Sequence, residues 1–121
     1  MTILEAVNAI DTLKSNAYTW GEKIAWLSRL DGMAKSEIFD THEGEVEFSG
    51  YDENTDRSTE LLIPAPYDEV YLRWLEAQID YANGEYAKYN NSASMYNTAY
   101  SAFRNYWNRT HKPVGKQWIY F

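Results

Sequence analysis

Between Pro64 and Arg109 aromatic and apolar side chains recur at a spacing that only helices use, and this stretch decides what the chain can become. Pro64 and Pro66 stiffen its entry and push Ile63 and Ala65 towards extended backbone. Asp68 and Glu69 then fall in a first turn, where carboxylates meet the positive end of a helix dipole. Tyr67, Tyr71, Trp74, Leu75, Ile79, Ala82, Tyr86 and Tyr89 trace a helical stripe up to Asn90-Asn91-Ser92, three cap and turn residues that predict a break. A further helix follows. Tyr96, Tyr100, Phe103 and Trp107 form one stripe on it, with Met95, Ala99, Ala102 and Tyr106 alongside. The two arms predict a helical hairpin with more aromatic surface than a hairpin alone can bury, so other elements or other chains must cover it.

Two capping boxes mark helix starts upstream: Thr2 with Glu5, and Thr19 with Glu22. The first helix carries Ile3, Ala6, Val7, Ile10 and Leu13 on one face and stops at Ser15-Asn16. The second carries Trp20, Ile24, Leu27, Leu30, Ala34 and Ile38 and runs to about Phe39, with Gly32 costing roughly 1 kcal/mol inside it. The short join makes these two antiparallel. From Asp40 to Glu60 the helical period disappears and turn formers take over. Val46 and Phe48 alternate with glutamates, and Leu61 and Ile63 stand ready to pair with them. The pattern predicts a small β-hairpin or acidic loop insertion over about 44–63, with its tip at 51–58. After Trp107 the sequence NRTHKPVGKQWIYF cannot continue a helix through Pro113 and Gly115, and it predicts an extended tail. The expected fold is mainly α: an antiparallel bundle of about four helices in residues 1–111, the 44–63 insertion, and a C-terminal tail in 112–121.

Charge is segregated along the chain. All eighteen Asp and Glu precede residue 86, whereas five of the eleven Lys and Arg, and no acid, follow Glu85. An acidic body argues against grasping nucleic acid, whose affinity comes largely from phosphate contacts. A basic, acid-free end on an acidic body fits contact between unlike surfaces, or simply complements a helix dipole. Cysteine is absent, which excludes disulfides, cysteine-held zinc and thiol chemistry. No apolar run approaches the roughly 20 residues of a bilayer span, and the N-terminus lacks the layout of a signal peptide, so the expected setting is cytoplasmic.

Signatures of chemistry are sparse. Asp52, Asn54, Asp56, Ser58 and Glu60 alternate oxygen side chains as a calcium loop does, but Arg57 and Ile63 stand where that loop needs glycine and a bidentate glutamate. His42 and His111 have no metal spacing, and no nucleophile elbow, phosphate loop or dinucleotide turn is present. Aromatic stripes at helical spacing read as core or helix contact before they read as sugar stacking. These residues predict no enzyme, metal or cofactor; they predict a subunit that works through its surfaces.

Pro64-Ala65-Pro66-Tyr67-Asp68-Glu69, the run Trp74 to Tyr81, Asn83-Gly84-Glu85-Tyr86 and Tyr89 to Ser92 resemble small virion proteins of tailed bacteriophages and prophages. The order of helices, acidic insertion, long helix, final helix and tail resembles the head-to-tail connector adaptors, or head-completion proteins. That resemblance implies a dodecameric ring in the virion neck, assembled in the host cytoplasm. The ring sits under a portal protein, receives a stopper or tail-completion protein on its other side, and lets DNA pass without specific binding. The tail role then falls on Lys112, Pro113, Lys116, Gln117, Trp118, Ile119, Tyr120 and Phe121, the last four as apolar anchors on portal. A closed ring repeats one contact between two unlike faces, which an acidic N-terminal body and the basic final helix would supply, with Arg104, Arg109 and Trp107 at the contact. The rival expectation is a small acidic helical interaction or regulatory module that binds a host or phage protein. A carbohydrate hydrolase with two acids ranks below both.

Overall fold

The computed structural model describes residues 1–114. Four helices form in order: α1 (Ile3–Leu13), α2 (Trp20–Ala34), α3 (Glu69–Ala82) and α4 (Tyr86–Thr110). The fold is mainly α, as the periodicity predicts. Both capping boxes close reciprocally, Thr2 with Glu5 and Thr19 with Glu22, so local sequence alone fixes where α1 and α2 begin. Among the described residues no helix is long and apolar enough to cross a membrane.

Cross-contacts set the directions. The N-terminal ammonium meets Asp68 at the start of α3, and Lys14 past the end of α1 pairs with Asp80 near the end of α3, so α1 and α3 run together. Tyr67 stacks on Tyr106, and Ser92 bonds to Asp80, so α4 runs against α3. Phe39 packs on Phe103 and Trp107, which places the end of α2 beside the end of α4. The result is an up-down-up-down bundle. Its core holds Ile3 and Ile10 of α1, Ile24, Leu27 and Leu30 of α2, Tyr71 and Leu75 of α3 and Phe103 of α4. Each such aliphatic side chain contributes about 1.5–3 kcal/mol by leaving water.

Helix α2 does not stop at Ala34. A π-helical turn, Lys35–Phe39, follows directly and ends where the Asp40 N–H donates to the Lys35 carbonyl at 2.8 Å. The turn carries Ile38 and Phe39, both of which are buried in the core.

The expected break at Asn90-Asn91-Ser92 does not exist; these residues lie inside α4. The chain turns earlier, at Asn83-Gly84-Glu85, where Gly84 adopts φ +74°. There the N–H groups of Asn83, Gly84 and Glu85 donate to the carbonyls of Ile79, Tyr81 and Asp80. Ser92 is compatible with a helix because its hydroxyl is engaged with the Lys88 carbonyl and the buried Asp80 carboxylate.

The expected hairpin is also absent: among the described residues there is no β-strand, only isolated bridges between Thr2 and Glu60 and between His42 and Pro113. Residues 44–63 form instead a strap that climbs α2 and returns past α1. Phe48 lies against Gly32, the Tyr51 N–H donates to Ser28 Oγ, and Glu53 lies against Gly21. On the return, the carbonyls of Arg57 and Thr59 accept the N–H groups of Leu4 and Ile3, donors that a helix start leaves unpaired. The backbone partners a second strand would have used are thus taken by the first turn of α1.

Candidate interaction surfaces

The polar residues that sequence periodicity hides are the buried ones. Asp31 falls on the apolar stripe of α2, between Leu27 and Ala34, and is fully buried. It accepts hydrogen bonds from Tyr71 Oη (2.6 Å), Tyr51 Oη (2.6 Å) and the Leu62 N–H (3.0 Å). Tyr71 Oη in turn accepts the Ile63 N–H at 2.7 Å. Burial holds the Asp31 carboxyl above its ordinary value, against the pull of its three donors, and burial beside this carboxylate raises both tyrosines. The cluster ties the strap to α2 and α3. Its signal in the sequence was an acid at an inward position, i+4 from Leu27 and i+7 from Ile24. A second cluster, Lys14–Asp80–Ser92, pins the end of α1 and the α3–α4 turn.

These clusters have saturated partners, and the strap acids that resembled a calcium loop act on their own backbone. Asp52 accepts the Asn54 N–H and Asp56 the Ser58 N–H, both at 2.8 Å, as turn residues do. Among the described residues no group of three or more His, Asp or Glu is placed to hold a metal ion.

The C-terminal exit is more informative. His111 stacks on Trp107 at 3.6 Å and 7°, against Gly44, whose φ of +108° suits glycine. Beyond it the Glu43 N–H donates to the Lys112 carbonyl (2.7 Å) and the Val114 N–H to the Thr41 carbonyl (3.0 Å). Lys112 and Pro113, expected in the tail, are therefore tied by backbone to the segment after the π-turn while their side chains stay exposed. A cleft of about 310 Å³ opens beside this exit, walled by Asp40, Glu43, Glu45 and Glu47, with Val114 on its rim. Lys116, Gln117, Trp118, Ile119, Tyr120 and Phe121 lie outside the described residues.

The three residues expected at a contact between copies separate. Trp107 is packed between Phe39 (4.8 Å) and Phe103 (5.8 Å), so its ring belongs to the subunit's own core. Arg104 and Arg109 are exposed, and neither meets a carboxylate among the described residues. Five positions apart on a helix, they point about 140° from one another, so they do not form one patch.

On the side away from the strap, two shallow apolar grooves flank α3. Leu13 and Leu72 line one, and Met95, Ala99 and Ala102 line the other, about 350 Å³ in volume. Leu13 and Met95 are 57% and 40% exposed. The aromatic stripe of α4, by contrast, is core and helix contact: Tyr100 and Phe103 are buried and Tyr96 stacks on Trp74. Compared with protein-family models, curated proteins and solved structures, the chain matches none.

Proposed function

We propose that the chain is a structural virion subunit, a head-to-tail connector adaptor that assembles with copies of itself into a ring between a portal protein and a stopper. The observation that carries this reading is the way the body closes. Among the described residues, the bundle and strap bury a core within one copy, and the pairing of 112–114 with 41–43 fixes where the chain leaves it. In this reading Trp118, Ile119, Tyr120 and Phe121, with Lys112 and Lys116, anchor on another chain, portal. Exposed Arg104 and Arg109 stand available for contacts between copies, and DNA passes through the ring without specific binding. Such a particle component works in the virion neck and needs neither cofactor nor membrane.

The test is recruitment by portal of the protein lacking Gln117–Phe121. It should melt as the full chain does and fail to join portal rings in co-sedimentation. A truncated protein that still joins portal, or one that no longer folds, would sink the proposal. The second reading, an acidic helical module that binds a host or phage protein as a monomer, is favoured by the core that the described residues bury within one copy; it predicts no recruitment by portal at any length of tail.

A further inference from the structure

Of the described aromatic rings, only those of Tyr81 and Tyr86 are exposed, at 58% and 60%. They are neighbours at the α3–α4 turn. Their centroids lie 5.7 Å apart, and Tyr89 joins the group 5.2 Å from Tyr81, both pairs edge to face. Among the described residues none of the three hydroxyls has a protein partner. The turn beneath them is rigid, held by the Gly84 turn and by the Lys14–Asp80–Ser92 cluster. Of the strap acids, Glu53 stands at the same end of the bundle, because it lies against Gly21 at the start of α2 and Tyr18, just before α2, bonds to Asn83. Glu53 has no ion pair among the described residues.

Arg109 and Lys112 are at the other end of α4, exposed and without a carboxylate partner among the described residues. Between Tyr86 and Thr110 a helix rises about 36 Å, so this cationic end cannot touch the tyrosines of its own chain. We infer that the Tyr81–Tyr86–Tyr89 shelf receives the Arg109–Lys112 end of a second copy. The Arg109 guanidinium stacks on a tyrosine face, and Lys112 lies towards Glu53. The contact joins two different surfaces, so it repeats from copy to copy and closes into a ring or extends as a filament. It rests on the proposed assembly of like copies and names the two faces that meet.

The experiment is sedimentation velocity over a concentration series, with circular dichroism to confirm folding. Wild type should associate in a concentration-dependent way. Tyr81→Ser/Tyr86→Ser and, separately, Arg109→Glu/Lys112→Glu should each weaken association at least about 30-fold. Arg109→Lys, which keeps charge and loses the flat stacking group, should fall between them and wild type. An equimolar mixture of the two double variants keeps one intact tyrosine shelf and one intact cationic end, so it should form a dimer and nothing larger. Wild type that stays monomeric up to about 1 mM would overturn the inference. So would tyrosine variants that associate like wild type, which would give the shelf to another ligand, or a mixture that fails to pair. A monomeric protein that still joins portal would end this contact and leave the adaptor reading standing; a self-associating one that ignores portal would do the reverse.

Discussion

Replacing Tyr71 with phenylalanine removes a single oxygen from the centre of the bundle and leaves the packing of the ring almost untouched. Two hydrogen bonds go with it: the one donated to Asp31 at 2.6 Å and the one accepted from the Ile63 N–H at 2.7 Å. A hydrogen bond to a charged group contributes about 1.5–3 kcal/mol, and a buried donor left without an acceptor costs about 1–3 kcal/mol. Ile63 and Tyr71 are both 0% exposed, so water cannot replace the lost oxygen. The expected loss is about 3–5 kcal/mol, a large part of the roughly 5–15 kcal/mol that holds a domain folded. Tyr51→Phe is the internal control. It removes a bond of the same length to the same carboxylate, but Tyr51 is only partly buried and lines an open cleft, so water can substitute and the loss should be about 1 kcal/mol. Urea denaturation read by tryptophan fluorescence measures both. With a slope of about 1.5 kcal/mol per molar, Tyr71→Phe should lower the midpoint by about 2–3 M and Tyr51→Phe by less than about 1 M. Equal losses for the two variants, or a Tyr71→Phe loss below about 1 kcal/mol, would show that the Asp31 cluster does not fasten the strap.

Because burial raises the Asp31 carboxyl, the native state binds its proton more tightly than the unfolded chain does. Its contribution should therefore fall as pH rises from the ordinary carboxylate value to the higher native one. The stability of wild type minus that of Asp31→Asn, measured by urea melts from pH 4 upward, should decline and then level; a difference that grows with pH would refute the assignment. Asn90→Ala and Asn91→Ala should each stabilise the protein by about 0.5 kcal/mol, since both side chains are exposed within α4 and alanine is the better helix former. Destabilisation in thermal melts would place the chain reversal there after all, and not at Gly84.

What the sequence made legible follows from how local the deciding interactions are. The starts of α1 and α2 could be read because each capping box satisfies its donors within four residues. The break in the second half could not, because Asn90, Asn91 and Ser92 are turn formers only where their side chains compete for nearby backbone. Ser92 is instead engaged with Asp80, twelve residues away. The hairpin failed for a related reason. Val46 and Phe48 alternate with glutamates as in a half-buried strand, but an extended segment lying along a helix buries alternate residues in the same way. Only the tertiary partners distinguish the two, and those were the free N–H groups of α1. The expected surplus of aromatic surface was largely absorbed by α1, α2 and the strap, leaving Tyr81 and Tyr86.

The acidity of the body looks different once its carboxylates are placed. Asp31 and Asp80 are buried and bonded; Glu5 and Glu22 cap helices; Asp52 and Asp56 hold turns. Asp11, Asp40, Glu60, Asp68, Glu69, Glu76 and Glu85 have cations, and Glu37 accepts from Tyr100. Among the described residues, Glu43, Glu45, Glu47 and Glu53 alone have neither an ion pair nor a side-chain hydrogen bond; the last three lie on the strap and Glu43 directly precedes it. Most of the negative charge is thus explained by folding, and total charge says little about function. The strap glutamates are the ones whose charge folding does not explain. Repulsion of phosphate weakens steeply beyond a Debye length of about 8 Å, so a ring that must not hold DNA needs unpaired acids close to its axis. If copies form the proposed ring, the strap glutamates expected to face the passage are Glu45 and Glu47, with Glu53 left to the contact between copies.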